Sequence, residues 1–355
     1  MKLLAIHVVT CACLITNTAR AAESIGTKSN ATGVAALDSP TSYEKPFTFT
    51  AYWENDGTIL KPNNNNDRHY TNGVAFTFSH RPEWVEGFAD FVTLGESFDK
   101  TAAGYIVGQL MFTPDDLDAR VLIPDDRPYA GYLFAGAYLQ RANDNVFDHA
   151  QLDLGMIGPS SQAGYMQHDF HRWFGEDEPR GWSNQLPDEF TVQLKLRRKW
   201  RFDLEPFTAW DHEFDQQLIP QVDLAVGTVY RNVSAGATWR VGLHMPDDFG
   251  PGRLADVSSA TGNQSNKTGG YAFVRATGKA VQYDIFLDGS EFRDSHGVDS
   301  EPLVGEIQIG IALYGKYKDW LLQANYSQTF MSKDFEDQGS TDSYGALMLS
   351  ASSSF

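Results

Sequence analysis

From Phe47 onward the chain alternates apolar and polar residues with a period of two. Phe47, Phe49, Ala51 and Trp53 interleave with Thr48, Thr50, Tyr52 and Glu54, and Val74, Phe76 and Phe78 interleave with Ala75, Thr77 and Ser79. Later runs repeat the pattern around 106–112, 127–142, 152–156, 190–196, 222–226, 235–243, 270–287, 307–313, 322–326 and 347–351. Such alternation predicts strands with one apolar and one polar face. The runs predict about twelve strands, several ~10 residues long, with aromatics crowding their ends. A soluble β-sandwich also alternates, but its strands are usually ~5–6 residues long. The expected fold is therefore all-β: a transmembrane antiparallel β-barrel of the bacterial outer membrane spanning residues 47–355. With the first strand running outward, the polar segments between strands 1–2, 3–4, 5–6, 9–10 and 11–12 face outside. Two segments, 81–100 and 245–269, then fall where short periplasmic turns are usual and are too long for them.

The chain start changes the compartment. Met1-Lys2 precedes an apolar run from Leu3 to about Ile15, and Ala19-Arg20-Ala21 supplies an A-x-A cleavage site. Residues 1–21 read as a cleaved secretory signal, with a lipoprotein signal at Cys11 or Cys13 the weaker reading. Residues 22–46, small and polar without periodicity, read as a flexible arm. Both cysteines lie in the signal, which removes disulfide scaffolds and thiol nucleophiles from consideration. A formal charge of −18 excludes nucleic-acid binding through a basic surface and suits a protein that uses divalent cations. No run of 18 apolar residues follows the signal, so no transmembrane helix is expected.

Candidate chemistry gathers at the outward strand ends. Phe47 to Asp56 rises about 25 Å at ~3.3 Å per residue and a ~40° tilt, which carries Asn55 and Asp56 to the outer interface. Thr71 opens the returning strand at similar height. By parity Thr71 groups with Thr77 and Ser79, and Asp56 with Thr48 and Thr50, so both are expected to face inward. The 3–4 loop ends in Asp125-Asp126-Arg127-Pro128-Tyr129, and residues 162–174 of the 5–6 loop suit a short helix with Gln167 and His171 one turn apart on one face. Each has a plainer explanation. Asn-rich loops stay solvated, Asp126-Arg127 can be a rim ion pair, and His171 can be a surface residue with His69 and His168 as competitors.

Together, however, Glu54-Asn55-Asp56, Asp67-Arg68-His69-Tyr70-Thr71-Asn72-Gly73, Asp125 to Gly131, and Gly158-Pro159 with Gln167, His171 and Gly181-Trp182-x-x-Gln185 resemble the outer-membrane lipid A 3′-O-deacylase family, in order and in strand context. The resemblance implies a twelve-stranded barrel and a calcium-dependent esterase that removes the 3′-linked acyloxyacyl group from lipid A. It also implies that Asn55, Thr71 and His171 are catalytic, that Asp56 holds Ca²⁺, and that Arg68, Tyr70 and Arg127 contact substrate. The expected partners are lipopolysaccharide and the outer membrane, with the protein a monomer. A lysine of some family members, expected shortly after Phe112-Thr113-Pro114, has no counterpart here; Arg120 is the nearest cation. A neutral imidazole can deprotonate water, and aligned donors can hold an oxyanion. A serine route through Ser160 or Ser161 lacks the G-x-S-x-G elbow. An outer-membrane phospholipase and a non-catalytic pore are the alternative functions.

Overall fold

The computed structural model describes residues 47–56, 68–85, 97–175, 177–259 and 268–353. The expected signal and arm (1–46), the Asn-rich tip of the first hairpin and the terminal Phe355 lie outside these residues. The described chain forms one antiparallel sheet of thirteen strands. They are β1 (Phe47–Asn55), β2 (His69–His80), β3 (Lys100–Thr113), β4 (Ala130–Ala142), β5 (Val146–Ile157), β6 (Glu189–Trp200), β7 (Phe202–Ala209), β8 (His212–Gly227), β9 (Tyr230–Leu243), β10 (Gly269–Asp284), β11 (Leu303–Tyr317), β12 (Trp320–Met331) and β13 (Asp342–Ser353). Apart from β6 and β7, consecutive strands pair with each other; β1 pairs with β13 and β6 with β8, which closes a ring of twelve. The chain is thus an outer-membrane-type β-barrel of twelve wall strands. β7 is the thirteenth: it prolongs β6 past the ring and pairs only with the first half of β8. Periodicity did not separate it, because β6 and β7 continue one strand direction.

The alternation has the expected meaning. Phe49, Trp53, Phe76, Phe78, Tyr105, Val107, Leu152, Leu154 and Phe190 are exposed on the outer face, while Tyr52, Ala75, Ile106 and Phe134 between them are buried inside. Outside, aromatics stack across strands, as in Phe47–Phe78 at 5.9 Å and Phe49–Phe76 at 6.1 Å. No helix among the described residues is long and apolar enough to cross a membrane; the strands do the crossing.

The long segment after β9 is not a surface turn. Residues 246–259 run through the lumen. Pro246, Pro251, Gly250 and Gly252 prevent a regular strand, so the backbone takes its partners from inward side chains around the ring. Arg275 donates to Pro251 O (2.9 Å), Asn325 donates to Gly252 O (3.2 Å), and Gln140 donates to Ser258 O (3.1 Å). Asp256 receives Arg197 (2.7 Å), Lys199 (2.9 Å) and Arg275 (3.0 Å), while Arg253 bonds Glu306 and the Tyr344 hydroxyl, both at 2.7 Å. Arg240 pairs with Asp248. Buried charges survive only when paired and hydrogen-bonded; this segment supplies the counter-charges for Arg197, Lys199, Arg275 and Arg240 of the wall, and the wall supplies Glu306 for its Arg253. Asp256→Asn leaves Arg197, Lys199 and Arg275 short of one negative charge. We expect a loss of about 3–5 kcal/mol, read as a lower urea midpoint for unfolding in detergent micelles.

Candidate active site

The site begins at an irregularity in β2. In the pairing with β3, Tyr70 lies opposite Phe112 and Asn72 opposite Met111, so Thr71 is the extra residue of a β-bulge. Phe112 has the inward parity of Ile106 and Leu110, and Tyr70 packs against it and against Tyr344. Tyr70 therefore points into the lumen, and Thr71 reaches Thr113 instead, its hydroxyl 2.7 Å from that of Thr113. Thr113 has the outward parity of Tyr105 and Val107. The expectation that Thr71 faces inward is thus corrected: one inserted residue exchanges the faces of Tyr70 and Thr71. Asn55 shares the outward parity of Phe49 and Trp53, and its amide donates to Thr71 O at 3.0 Å. Asp56 receives the Arg68 N–H at 2.6 Å and donates its own N–H to Thr71 O at 3.3 Å.

Asn55, Thr71 and Thr113 lie on the lipid side of the wall and are nonetheless covered; Thr71 and Thr113 are almost wholly buried. The cover over β3 and β4 is the segment after β5: a short 3₁₀ turn (Pro159–Ser161) and helix α1 (Ala163–Phe174). Gln109, outward on β3, donates to Ser161 O at 2.7 Å. Gly131, outward on β4, leaves room for the turn, since a Cβ there would stand 2.1 Å from Ser161 Oγ and 2.3 Å from Ala163 Cβ. Ala163, Gln167 and His171, spaced by four, form the buried stripe of α1. Tyr165 (73% exposed), Met166, Phe170 and Trp173 (80% exposed) form its apolar outer side. The helix predicted for 162–174 is present, and its histidine is a buried one rather than a surface one. Gly175, at φ 73°, ends the helix and returns the chain so that His171 Nδ1 lies 2.6 Å from Asp177 O. A ring nitrogen facing a carbonyl must carry the proton, so Nε2 is the basic nitrogen. Trp182 donates to Gln167 at 2.8 Å and lies over Gly164, which gives the Gly181-Trp182 motif its part: it holds the helix down. His171 thus shares the outer wall face with Asn55, Thr71 and Thr113, on adjacent strands.

Other expected site residues lie elsewhere. Tyr70 donates to Glu54 at 2.6 Å inside the barrel. Arg127 is buried over the Phe112 ring and beside Asp334. Both thus point to the lumen side, with their polar ends toward Glu54 and Asp334. Arg68 stays partly exposed and ties three loops through Asp115 (3.2 Å), Ser340 (2.7 Å) and Asp342 (3.5 Å). His69 is locked between Asp342 (2.6 Å) and Asp126 (3.6 Å), and half-buried His168 pairs with Glu178. Ser160 donates to Asp188 and Ser161 to Gly158 O, which leaves neither hydroxyl for a histidine base. Arg120 is exposed, its carbonyl accepting from Asn184. Thr113 and Gln109 went unnoticed in the sequence. Only outward parity near the end of a strand marked them.

Comparison with known proteins follows this geometry. The family model described as outer membrane protein LpxR matches residues 8–353. The chain belongs to that family. It is the lipid A 3′-O-deacylase family that the motif blocks resemble. Among solved structures, LpxR from Salmonella typhimurium is 18% identical with a TM-score of 0.66, covering 85% of this chain and 99% of that one. The β domain of the Bordetella autotransporter BrkA (11% identity, TM-score 0.42, 88% and 100% covered) and the AIDA-I transport unit from Escherichia coli (9%, 0.38, 91% and 93%) are more distant. Among curated proteins, no sequence matches.

In this LpxR-family barrel, no cluster of three or more His, Cys, Asp or Glu side chains suited to a metal occurs among the described residues. This end of the wall does carry oxygen donors: the Asp56 carboxylate and the side-chain oxygens of Asn55, Thr71 and Thr113, while the Thr71 carbonyl already accepts from the Asn55 amide and the Asp56 N–H. One carboxylate with neutral oxygens fits a hard cation that keeps solvent or substrate oxygens in its shell.

The neighbouring 3–4 loop carries a pH-dependent clamp. Burial alone would raise the Asp126 carboxyl, but the His69 ring and the backbone N–H groups of Asp115 and Arg127 hold it below the usual carboxylate range. A lowered pKa means stability that is present above the ordinary value and lost as pH falls through the lowered one. Amide hydrogen exchange of residues 115–127 should stay slow through the ordinary Asp range, about pH 4, and become fast only below it. In Asp126→Asn it should be fast at every pH.

Proposed function

We propose that this LpxR-family barrel hydrolyses the 3′-O-linked acyloxyacyl ester of lipid A in the outer leaflet, with His171-activated water and bound calcium. The observation that carries this reading is the common face. Asn55, outward by the regular parity of β1, Thr71, turned outward by the bulge, and His171, on the wall-facing stripe of α1, share the face toward a lipid substrate. The apolar outer side of α1 supports a site that works among acyl chains. A lumen filled by 246–259 argues against a pore.

The chemistry follows from the tautomer and the donors. His171 Nε2 takes a proton from water, and the resulting hydroxide attacks the ester carbonyl. Asn55 and Thr71 orient that carbonyl and face the negative charge that develops on its oxygen. The C–O bond to the sugar breaks, His171 returns the proton to the leaving alcohol, and the products are a free acid and a 3′-hydroxyl. Ca²⁺, held by Asp56 with the oxygens of Asn55, Thr71 and Thr113, would supply positive charge beside that oxygen. Arg68, still partly exposed at the rim, is the cation placed to meet a substrate phosphate. Secretion through a cleaved signal and action as a monomer complete the reading.

Mass spectrometry of lipid A from cells with and without the protein tests it. Loss of the 3′ acyloxyacyl group is expected, together with a fall of about 100-fold or more in His171→Ala. Chelation should abolish the reaction and Ca²⁺ should restore it. Unchanged lipid A with fatty acid released from phospholipid would establish the phospholipase instead. Gly131→Ala pushes the Ser161–Ala163 turn off the wall. It should lower the rate without altering the heat-dependent gel migration that reports a folded barrel.

A further inference from the structure

We infer that Glu54, acting from inside the lumen, is a positioning residue that holds Thr71 on the outer face. The inference rests on the catalytic reading of Thr71, but its structural half can be tested apart from it.

The argument is one of parity. Without the bulge, Tyr70 would share the outward face of Phe76 and Phe78, and Thr71 the inward face of Thr77. The bulged register exchanges both, so whatever holds Tyr70 inside holds Thr71 outside. Three contacts do so. The Tyr70 hydroxyl donates to Glu54 Oε2 at 2.6 Å. Its ring meets Tyr344 edge-on at 4.9 Å and Phe112 at 5.4 Å. Its phenol also lies back over Gly73, where a Cβ would stand 2.2 Å from the Tyr70 oxygen and 3.0 Å from Leu254 Cδ1. Gly73 is thus explained as the space that Tyr70 needs to turn inward.

Glu54 is itself positioned. It is 2% exposed, and its other oxygen accepts the Leu254 N–H at 2.9 Å. Leu254 follows Arg253, which is fastened to Glu306 and Tyr344. The path therefore runs from the lumen segment to Glu54, to Tyr70, to the bulge and across the wall to Thr71. The Tyr70–Glu54 bond exists only in the bulged register. Losing it weakens the preference for Thr71 outside without touching any group on the outer face.

Two variants test this, Tyr70→Phe, which keeps the ring, and Glu54→Leu, which keeps the bulk but cannot pair with the Tyr70 hydroxyl in either direction. Both are taken forward only with the gel migration of a folded barrel. The structural readout is a cross-link. With Cys11 and Cys13 replaced by serine, Thr71→Cys and Thr113→Cys are introduced together, since their hydroxyls stand 2.7 Å apart, and disulfide formation is timed. We expect it to slow about fivefold or more in either variant background. On lipid A in mixed vesicles we expect kcat to fall about tenfold or more with KM changed by less than about twofold. The double variant should be no worse than the poorer single one, because both break one link. An unchanged cross-linking rate in folded variants overturns the positioning role. So does slower cross-linking with unchanged kcat. Slower cross-linking in a chain whose unsubstituted form releases no acyl group supports the positioning and overturns the deacylase reading alone.

Discussion

In a barrel wall the two-residue period of a strand decides which medium each side chain meets, and one inserted residue at Thr71 suspends that rule where the chemistry is needed. Most polar side chains of a regular wall strand point to the lumen, whereas the proposed ester hydrolysis needs them on the lipid side. The bulge moves a hydroxyl to the lipid side. The same step sends an aromatic ring inward, where it can be gripped. Thr113, Asn55 and the covering helix then add polar groups on a surface that elsewhere exposes mostly Phe, Trp, Tyr, Leu, Ile and Val.

The lumen is the other half of this arrangement. Its charges would be intolerable in an empty apolar tube and wasteful in a wet one. The segment after β9 converts them into anchors, with Asp256, Asp248 and Arg253 each meeting wall partners of opposite charge. The result is a packed core in a membrane barrel. A core of that kind can fix the wall from within, as the Leu254–Glu54–Tyr70 path does, whereas a solvated pore could not.

Much of the wall was legible as alternation, because lipid outside and polar groups inside impose it residue by residue. Eleven of the twelve expected runs needed only shifted ends, and the run at 222–226 proved to be the upper half of the long β8. The helix over 162–174 was legible from its loop length and from the spacing of Gln167 and His171. The lumen segment was not. It has no period, and its partners are side chains on strands scattered along the whole chain. Thr71 misled for a more instructive reason: parity is a counting argument, and an insertion shows itself only in the partner strand. The oxygen donors could be named from motif likeness, but the face they occupy required the register.

Helix α1 turns Tyr165, Met166, Phe170 and Trp173 away from the protein. A site bounded by such a helix draws its substrate from within the leaflet, not from water. The concentration that governs it is then the mole fraction of substrate among neighbouring lipids, and encounter is a two-dimensional search. Such an enzyme is slowed by inert lipid mixed into its own plane and is indifferent to the volume of water around it.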